Sequence, residues 1–589
     1  MNQATETTPA EASVTPTSAG IQAPPRLWPA VLFVLLFWAG FFVMNAVEKP
    51  YFIQFIYNMA APALLLLLFS IWWWRNRRIP FADRVYGCLL VVGTAAAVAP
   101  LCHRTILFGL LTFGLPVALT ILTLWMKFVQ WTGFAWKRTG LLVALLLVWG
   151  YFPLIRIDGL DADLQSATKW RWTPTAEEEF LAEKSRTAPA ATPARDAPAL
   201  TELATGDWPA FRGPKRDGVI PGITIAADWN AKPPKLLWRQ RVGPAWSSVI
   251  VVGDRLFTQE QRGEMETVVC YEAATGKELW VHSDQARFWE AVSGAGPRAT
   301  PTFANGRIYT LGGTGILNCL DAATGQKCWS RDIRTEAEAK TPMWGYSNSP
   351  LVVDGKVIAF SGGEASLRAY HAESGDPAWA ADAGPGSYSS PQLVTIAGQP
   401  LILMLSETGL SAFDPAEGAK FWQTGLPMAG APRTLQPHLL DSHQLVVGTL
   451  EVFGVARVDI SKDGAAWNVE KLWQSTQMKP EFPDFVIYQG HAYGFDGAIF
   501  ACLDLADGKR SWKGGRYGRG QVVLLEEQGL LLVISESGEA ILIAADPKES
   551  KELGKFQAVN GKTWNHPVIA QGRLYVRNAE EMACYQLNN

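Results

Sequence analysis

Motifs that would announce a chemistry are scarce in this chain. Its seven cysteines across 589 residues include no C-x-x-C pair, no adjacent pair and no C-x-x-C-H. That excludes a zinc ribbon, a covalently attached haem and a small disulfide-laced fold. The seven histidines contain no H-E-x-x-H, so the zinc-protease helix is excluded as well. Gly561-Lys562-Thr563 ends like a phosphate loop, but Phe556 stands where the first glycine is needed and no helix is expected to follow. Charge is also sparse: 18% of residues are charged and the net charge is −3, with no basic tail or recognition helix, which leaves no general attraction to nucleic acid.

Apolar residues are abundant, and they are concentrated before residue 156. Runs at about 27–47, 52–74, 85–102, 105–126 and 139–155 are each near the length that spans a bilayer. Arg75, Arg77, Arg78 and Arg84 follow the second run, and Lys127, Lys137 and Arg138 follow the fourth, against only Lys49 and Arg104 in the opposite loops. The positive-inside rule then predicts a cytoplasmic N-terminus, with everything after residue 156 outside, as in a bacterial inner-membrane protein with a periplasmic domain. Residues 1–26, rich in Thr, Ala and Pro, read as a disordered cytoplasmic tail that lacks the plan of a cleaved signal peptide. Four regions are expected: tail 1–26, five-helix membrane domain 27–156, Ala/Pro/Thr-rich linker 157–206 with a short acid-led helix within 173–186, and a repeat domain 207–589.

The repeat domain is organised around Ala274-Thr275-Gly276-Lys277-Glu278-Leu279-Trp280. Copies close at Trp329, Trp379, Trp422 and Trp512, looser ones at Trp238 and Trp473, and a degenerate one at Phe556. The closing aromatics are 42, 49, 50, 43, 51, 39 and 44 residues apart, the period of a propeller blade. Each interval holds four short strands, with turns such as Asn305-Gly306 between the first two. The spacing predicts an all-β, eight-bladed propeller of four-stranded antiparallel blades. Three strands remain after Phe556, so Lys235–Val242 is expected to complete the last blade and remove the free edges. Each closing Trp reads as a wedge between neighbouring blades. Cys270, Cys319 and Cys502 each lie ten residues before a closing Trp, and Cys584 ends the equivalent strand; they read as small buried hydrophobes in one packing slot.

Asp207-Trp208-Pro209-Ala210-Phe211-Arg212-Gly213-Pro214, followed by Asp217-Gly218-Val219 and the T-G-K-x-x-W blades, resembles the entry to pyrroloquinoline-quinone-type (PQQ-like) propellers. These occur in quinoprotein dehydrogenases and in the propeller lipoprotein of the outer-membrane assembly machinery. Five spans ahead of such a domain also resemble membrane-bound quinoprotein glucose dehydrogenase. In a propeller, the loops entering the innermost strands converge on the channel mouth. This chain places there Trp246 and Ser247; Arg298; Trp344, Tyr346 and Asn348; Tyr388; Arg433, Gln436 and His438; Lys479 and Asp484; Arg516, Tyr517 and Arg519; and Lys562, Trp564, Asn565 and His566. Converging cations favour an anion and aromatic faces suit a planar ring. Pyrroloquinoline quinone would satisfy both, as would an acidic partner segment, and the same residues also fit ordinary exposed loops.

Two functions are expected from this. One is a membrane-anchored, extracytoplasmic platform whose basic and aromatic mouth binds a protein partner or small anionic ligand. The other, implied by the resemblance, is a membrane quinoprotein dehydrogenase that oxidises an alcohol or sugar and reduces membrane quinone. The resemblance gives that second function a quinone beside Ca²⁺ and an Asp acting as base. Asp484 is the one carboxylate placed for that role, with Asn348 or Asn565 offering amide oxygens. Three departures weigh against it: no readable set of calcium ligands, little spare length for loops that would shape a substrate site, and no adjacent cysteine pair.

Overall fold

The structure, a computed structural model, describes residues 24–47, 51–132, 137–161, 166–186, 200–426, 434–449 and 453–587. It divides into two units, residues 1–157 with 168–172, and residues 158–167 with 173–589, and each is taken by itself.

The first unit is helical. Five helical segments are long and apolar enough to cross a membrane: Trp28–Ala46, Ile53–Arg75, Phe81–Leu101, Arg104–Gln130 and Lys137–Leu154. They agree with the five predicted runs. The fourth is not a uniform helix, because Leu110–Gly114 winds into a π turn. Gly114 sits under Trp149, where a Cβ would come within 2.8 Å of the indole. Arg138 is paired to Asp83 at 2.6 Å, and Trp125 Nε1 donates to Lys137 O at 3.0 Å. Arg138 opens the fifth span and Asp83 the third, so the two arginine-bearing loops lie at one end of the bundle.

The second unit is a ring of eight antiparallel sheets. Blade 1 spans residues 250–285, blade 2 302–332, blade 3 351–381, blade 4 392–423, blade 5 438–475, blade 6 486–516 and blade 7 521–557. Blade 8 takes three strands from residues 568–586 and its outermost, Lys235–Arg241, from the start of the domain. Glu581 faces Arg241, and Gln586 faces Lys235. This is the predicted closure. The turn at Asn305-Gly306 has positive φ at both residues, the twist a tight hairpin needs.

The repeated Trp is the inter-blade lock. Trp280 Nε1 donates to Ala322 O of blade 2 at 3.2 Å, and Trp329 Nε1 to Ala372 O of blade 3 at 2.9 Å. The glycine of each following turn fits beneath the ring: a Cβ on Gly325 would lie 2.5 Å from Trp280, and one on Gly375 2.6 Å from Trp329. That fit explains why T-G and W recur together. Each lock combines a buried aromatic with one hydrogen bond worth about 0.5–1.5 kcal/mol. Trp422 departs from the pattern. Blade 5 carries a long hairpin, Gly454–Asp463 and Ala466–Ser475, whose Trp467 packs on Phe421 with ring centroids 6.0 Å apart.

Two features of this unit escape the repeat. Val219–Ile220 adds a fifth strand, parallel, to the inner edge of blade 7. The acid-led helix within the expected linker, Ala176–Arg186, is docked on blade 1 rather than standing free. It starts in a capping box between Thr175 and Glu178 (3.1 and 2.7 Å). Glu177 pairs with Arg287 at 2.8 Å, Lys184 pairs with Glu278 at 2.6 Å, and buried Phe180 lies under Arg262. Residues 1–23 and 187–199, most of the expected tail and part of the linker, lie outside the described residues.

Candidate functional site: the channel and its mouth

The entry segment runs into the channel. Trp208 bridges to Val251 of blade 1, and Pro209 O accepts from Phe303 N of blade 2 at 2.8 Å. Arg216 donates to Ser349 O and Pro350 O, both at 2.9 Å, at the start of blade 3. Arg212 donates to Phe485 O of blade 6 at 2.8 Å, and Val219–Ile220 joins blade 7. Residues 208–220 thus tie together inner strands of five blades and plug the ring. Arg212 and Arg216 adopt φ of 61° and 59°, a left-handed backbone that non-glycine residues hold only when their surroundings fix it.

Arg212 is ion-paired to Asp484, with both side chains buried. Asp484 Oδ1 also accepts from His438 Nε2 and from Phe485 N, each at 2.9 Å. The His438 ring stacks on Phe485 with centroids 4.2 Å apart. Phe211 meets His566 edge-on at 5.1 Å. Burial, and then the charge of Arg212, hold both histidines well below their ordinary pKa, so each is neutral. Burial pulls Arg212 and Arg216 down to about 9, which leaves both charged at neutral pH. Asn348 spends its amide on the backbone of Phe360, donating at 3.1 Å and accepting at 3.0 Å. Asn565 donates to Ser247 O at 2.7 Å, and its Oδ1 has no partner among the described residues. Gln436 donates to Ser390 O at 3.4 Å. Tyr346, buried, donates to Ser361 O at 2.8 Å.

Two of the arginines predicted for the mouth are paired with acids. Arg298 lies over Phe288 and pairs with Glu290 at 3.2 Å; burial pulls it down to about 10. Arg519 pairs with Glu481 through two nitrogens, at 2.5 and 3.2 Å. Lys562 sits between Trp246 and Trp564, 5.1 and 4.4 Å from the ring centroids, and donates to Leu160 O at 2.9 Å and Val292 O at 3.1 Å. Burial pulls its pKa down to about 8. Trp564 donates to Glu536 at 2.9 Å and packs on Phe482 at 5.0 Å. Trp344 and Tyr388 pack together at 5.2 Å, beside exposed Met343. Tyr517 donates to Glu552 at 3.2 Å, and Arg516, exposed, ends the outer strand of blade 6. Arg433 lies outside the described residues.

Blade 6 is different. Asp496, buried, is shared by Arg510 and Lys513 at 2.9 Å and by Lys479 at 3.5 Å. The three cations are about one third exposed, so one carboxylate faces three positive charges. Lys479 was among the predicted residues, whereas Arg510, Lys513 and Asp496 were missed. The available signal was the run Lys509-Arg510-Ser511-Trp512-Lys513 closing a blade.

The repeat and the closure define an eight-bladed propeller of four-stranded blades, preceded in the chain by helices long and apolar enough to cross a membrane. Residues 264–514 match the family profile described as outer membrane protein assembly factor BamB. Quinohemoprotein alcohol dehydrogenase ADH-IIG of Pseudomonas putida is 32% identical over 170 residues, which is 26% of this chain and 23% of that protein. Quinohemoprotein alcohol dehydrogenase ADH IIB of the same organism is 31% identical over 137 residues, 21% and 19% of the two chains. This chain therefore matches about a quarter or less of the length of those curated relatives. Among solved structures, BamB from Moraxella catarrhalis superposes with a TM-score of 0.45 at 13% identity, covering 60% of this chain and 99% of that one.

The donor set can be compared with what pyrroloquinoline quinone and Ca²⁺ require. A tricarboxylate needs unspent cations, and Arg298, Arg519 and Lys562 are each engaged by the chain's own carboxylates or carbonyls. Calcium needs several hard oxygens. Asp484 is committed to Arg212, Asn348 to Phe360, and among the described residues no three His, Cys, Asp or Glu side chains gather to hold an ion. Asp484, Asn348, Arg298, Arg519 and Lys562 are thus committed within the chain, and the cations of blade 6 are the ones left in surplus.

Proposed function

We propose that this protein is a membrane-anchored binding platform whose mouth face takes an acidic segment of a protein partner or a small anion. The observation that carries the reading is the charge surplus on blade 6, where Lys479, Arg510 and Lys513 share Asp496. The other buried mouth arginines are balanced one to one, so this is where an incoming anion finds unspent charge. The aromatic pair Trp344 and Tyr388, with Met343 beside it, supplies apolar contact on the same face. In this reading the propeller is periplasmic, the N-terminus cytoplasmic and the membrane of the bacterial inner type; the arginines after spans two and four support that orientation.

The test uses the full chain in detergent, titrated with a hexaglutamate peptide and, separately, with pyrroloquinoline quinone with and without Ca²⁺. The platform reading expects peptide binding that falls at least tenfold in Lys479→Gln/Lys513→Gln. Unchanged peptide affinity in that variant would remove the site. Calcium-dependent binding of the quinone would instead favour the membrane dehydrogenase, for which the sequence likeness to the two alcohol dehydrogenases is the support.

A further inference from the structure

Blade 2 holds two cysteines where the other blades hold at most one. Its third and fourth strands are Ile316–Asp321 and Lys327–Asp332. Cys319 faces Trp329 and Leu320 faces Lys327, and the register slips between them. The residue left over is Cys328. A bulge of this kind sets two residues of one strand against one of the other, so Cys319 faces both Cys328 and Trp329. The bulge therefore sets the two cysteines next to one another across the strand pair. Cys319 is buried, its sulfur 3.9 Å from Ala372 O, whereas Cys328 is exposed.

The repeat supplies its own controls. Cys270, Cys502 and Cys584 fill the position of Cys319 in blades 1, 6 and 8, but the residue extruded opposite them is Leu279, Ser511 and Leu237. Only blade 2 sets one thiol against another.

We propose that Cys319 and Cys328 are an oxidisable pair that closes into a disulfide between the third and fourth strands of blade 2, by exchange with a small-molecule disulfide. The exposed Cys328 thiolate attacks the oxidant, releasing one of its halves as a thiol and keeping the other as a mixed disulfide. Cys319 gives up its proton and attacks the Cys328 sulfur, which expels the second half, also as a thiol. Two protein thiols lose two electrons, and one external disulfide is reduced to two thiols. Burial pushes Cys319 up to about 12, so the second step is slow at neutral pH and quickens several-fold per pH unit as the thiolate fraction grows. The bond would stiffen the blade directly behind Trp329. There Trp329, Tyr309 and Arg307 already converge on Ala372 O at 2.9, 3.2 and 3.0 Å, at the junction with blade 3.

The experiment incubates the full chain in detergent with oxidised glutathione, then denatures it, alkylates free thiols and maps peptides by mass. The parent is expected to lose two alkylatable thiols and give a 319–328 cross-link lighter by two hydrogens, faster at pH 9 than at pH 7. Cys319→Ser is expected to stop at a stable glutathione adduct on Cys328, and Cys328→Ser to show no reaction at Cys319. Two alkylated thiols in the parent, or a glutathione adduct on Cys328 that never resolves, would overturn the proposal.

Discussion

Arg212 and Asp484 meet inside the channel with neither side chain in contact with solvent, and the guanidinium is held there by a left-handed backbone. A charge so enclosed is stable only with its partner. Removing one member leaves the other buried and uncompensated, at a cost of about 3–5 kcal/mol. Arg212→Met should therefore lower the propeller's unfolding free energy by that order, followed by Trp fluorescence in denaturant. Adding Asp484→Leu should recover much of the loss. Equal stability of parent and single variant would mean that the pair contributes nothing.

The glycine beneath each Trp gives a comparison free of backbone effects. Gly325 and Gly355 both have φ near 70°, but a Cβ on Gly325 meets Trp280 at 2.5 Å while one on Gly355 meets nothing within 4 Å. Both alanine variants carry the same backbone strain, and only Gly325→Ala adds a clash. Gly325→Ala should be the less stable by about 1–3 kcal/mol. Equal melting temperatures would show that the lock tolerates the extra carbon.

Glu266 is buried in blade 1, where it accepts from Gly313 N at 3.1 Å and from the Thr314 hydroxyl at 3.4 Å. Burial raises its pKa to about 7, so the folded state binds a proton that the unfolded chain has lost above its ordinary value. The resulting stability is complete at acid pH and disappears as pH climbs from about 4.5 to about 7, at about 1.4 kcal/mol per unit. Buried neutral His438 and His566 act in the opposite sense, since their stability is lost as pH falls below about 6.5. The difference between Glu266→Gln and the parent isolates Glu266. The variant should gain relative stability from pH 5 to about pH 7 and level off above it, and a constant difference across pH 5 to 8 would show that Glu266 does not titrate in that range.

Asp496 restrains three cations. Asp496→Asn should leave Lys479, Arg510 and Lys513 repelling one another, lowering the melting temperature in dilute buffer and recovering it as salt screens the charges. A loss insensitive to salt would mean that packing, and not charge, is what Asp496 provides.

Topology is checked by a reporter fused after residue 589. A phosphatase that needs an oxidising compartment should be active there, and one fused in the loop at residues 75–80 should be silent. The reverse pattern would invert the protein.

The fold was legible because the repeat carries its own measure: Trp spacing fixed the blade count, and the missing outer strand of the last blade pointed back to Lys235–Arg241. The site was legible only as an address. Which residues reach the mouth follows from where inner strands begin, but whether a cation there is free depends on its partner. Glu290, Glu481 and Asp496 look like ordinary loop acids until the loops are placed. The plug was hidden for a related reason. Ser349, Pro350 and Phe485, which hold Arg216 and Arg212, come from blades more than a hundred residues onward, and two-residue Val219–Ile220 has no periodicity to read.

The closing strand has a consequence for how the chain is made. Lys235–Arg241 is synthesised before the four strands of each intervening blade, yet it pairs with Glu581–Gln586, which follows all of them. At about 5–20 residues per second, it waits on the order of tens of seconds as an unpaired edge while the intervening blades assemble against one another. The ring closes once, when Glu581–Gln586 arrives, so a nascent chain stopped short of that strand presents two open sheet edges, the kind of surface on which chaperones and proteases act.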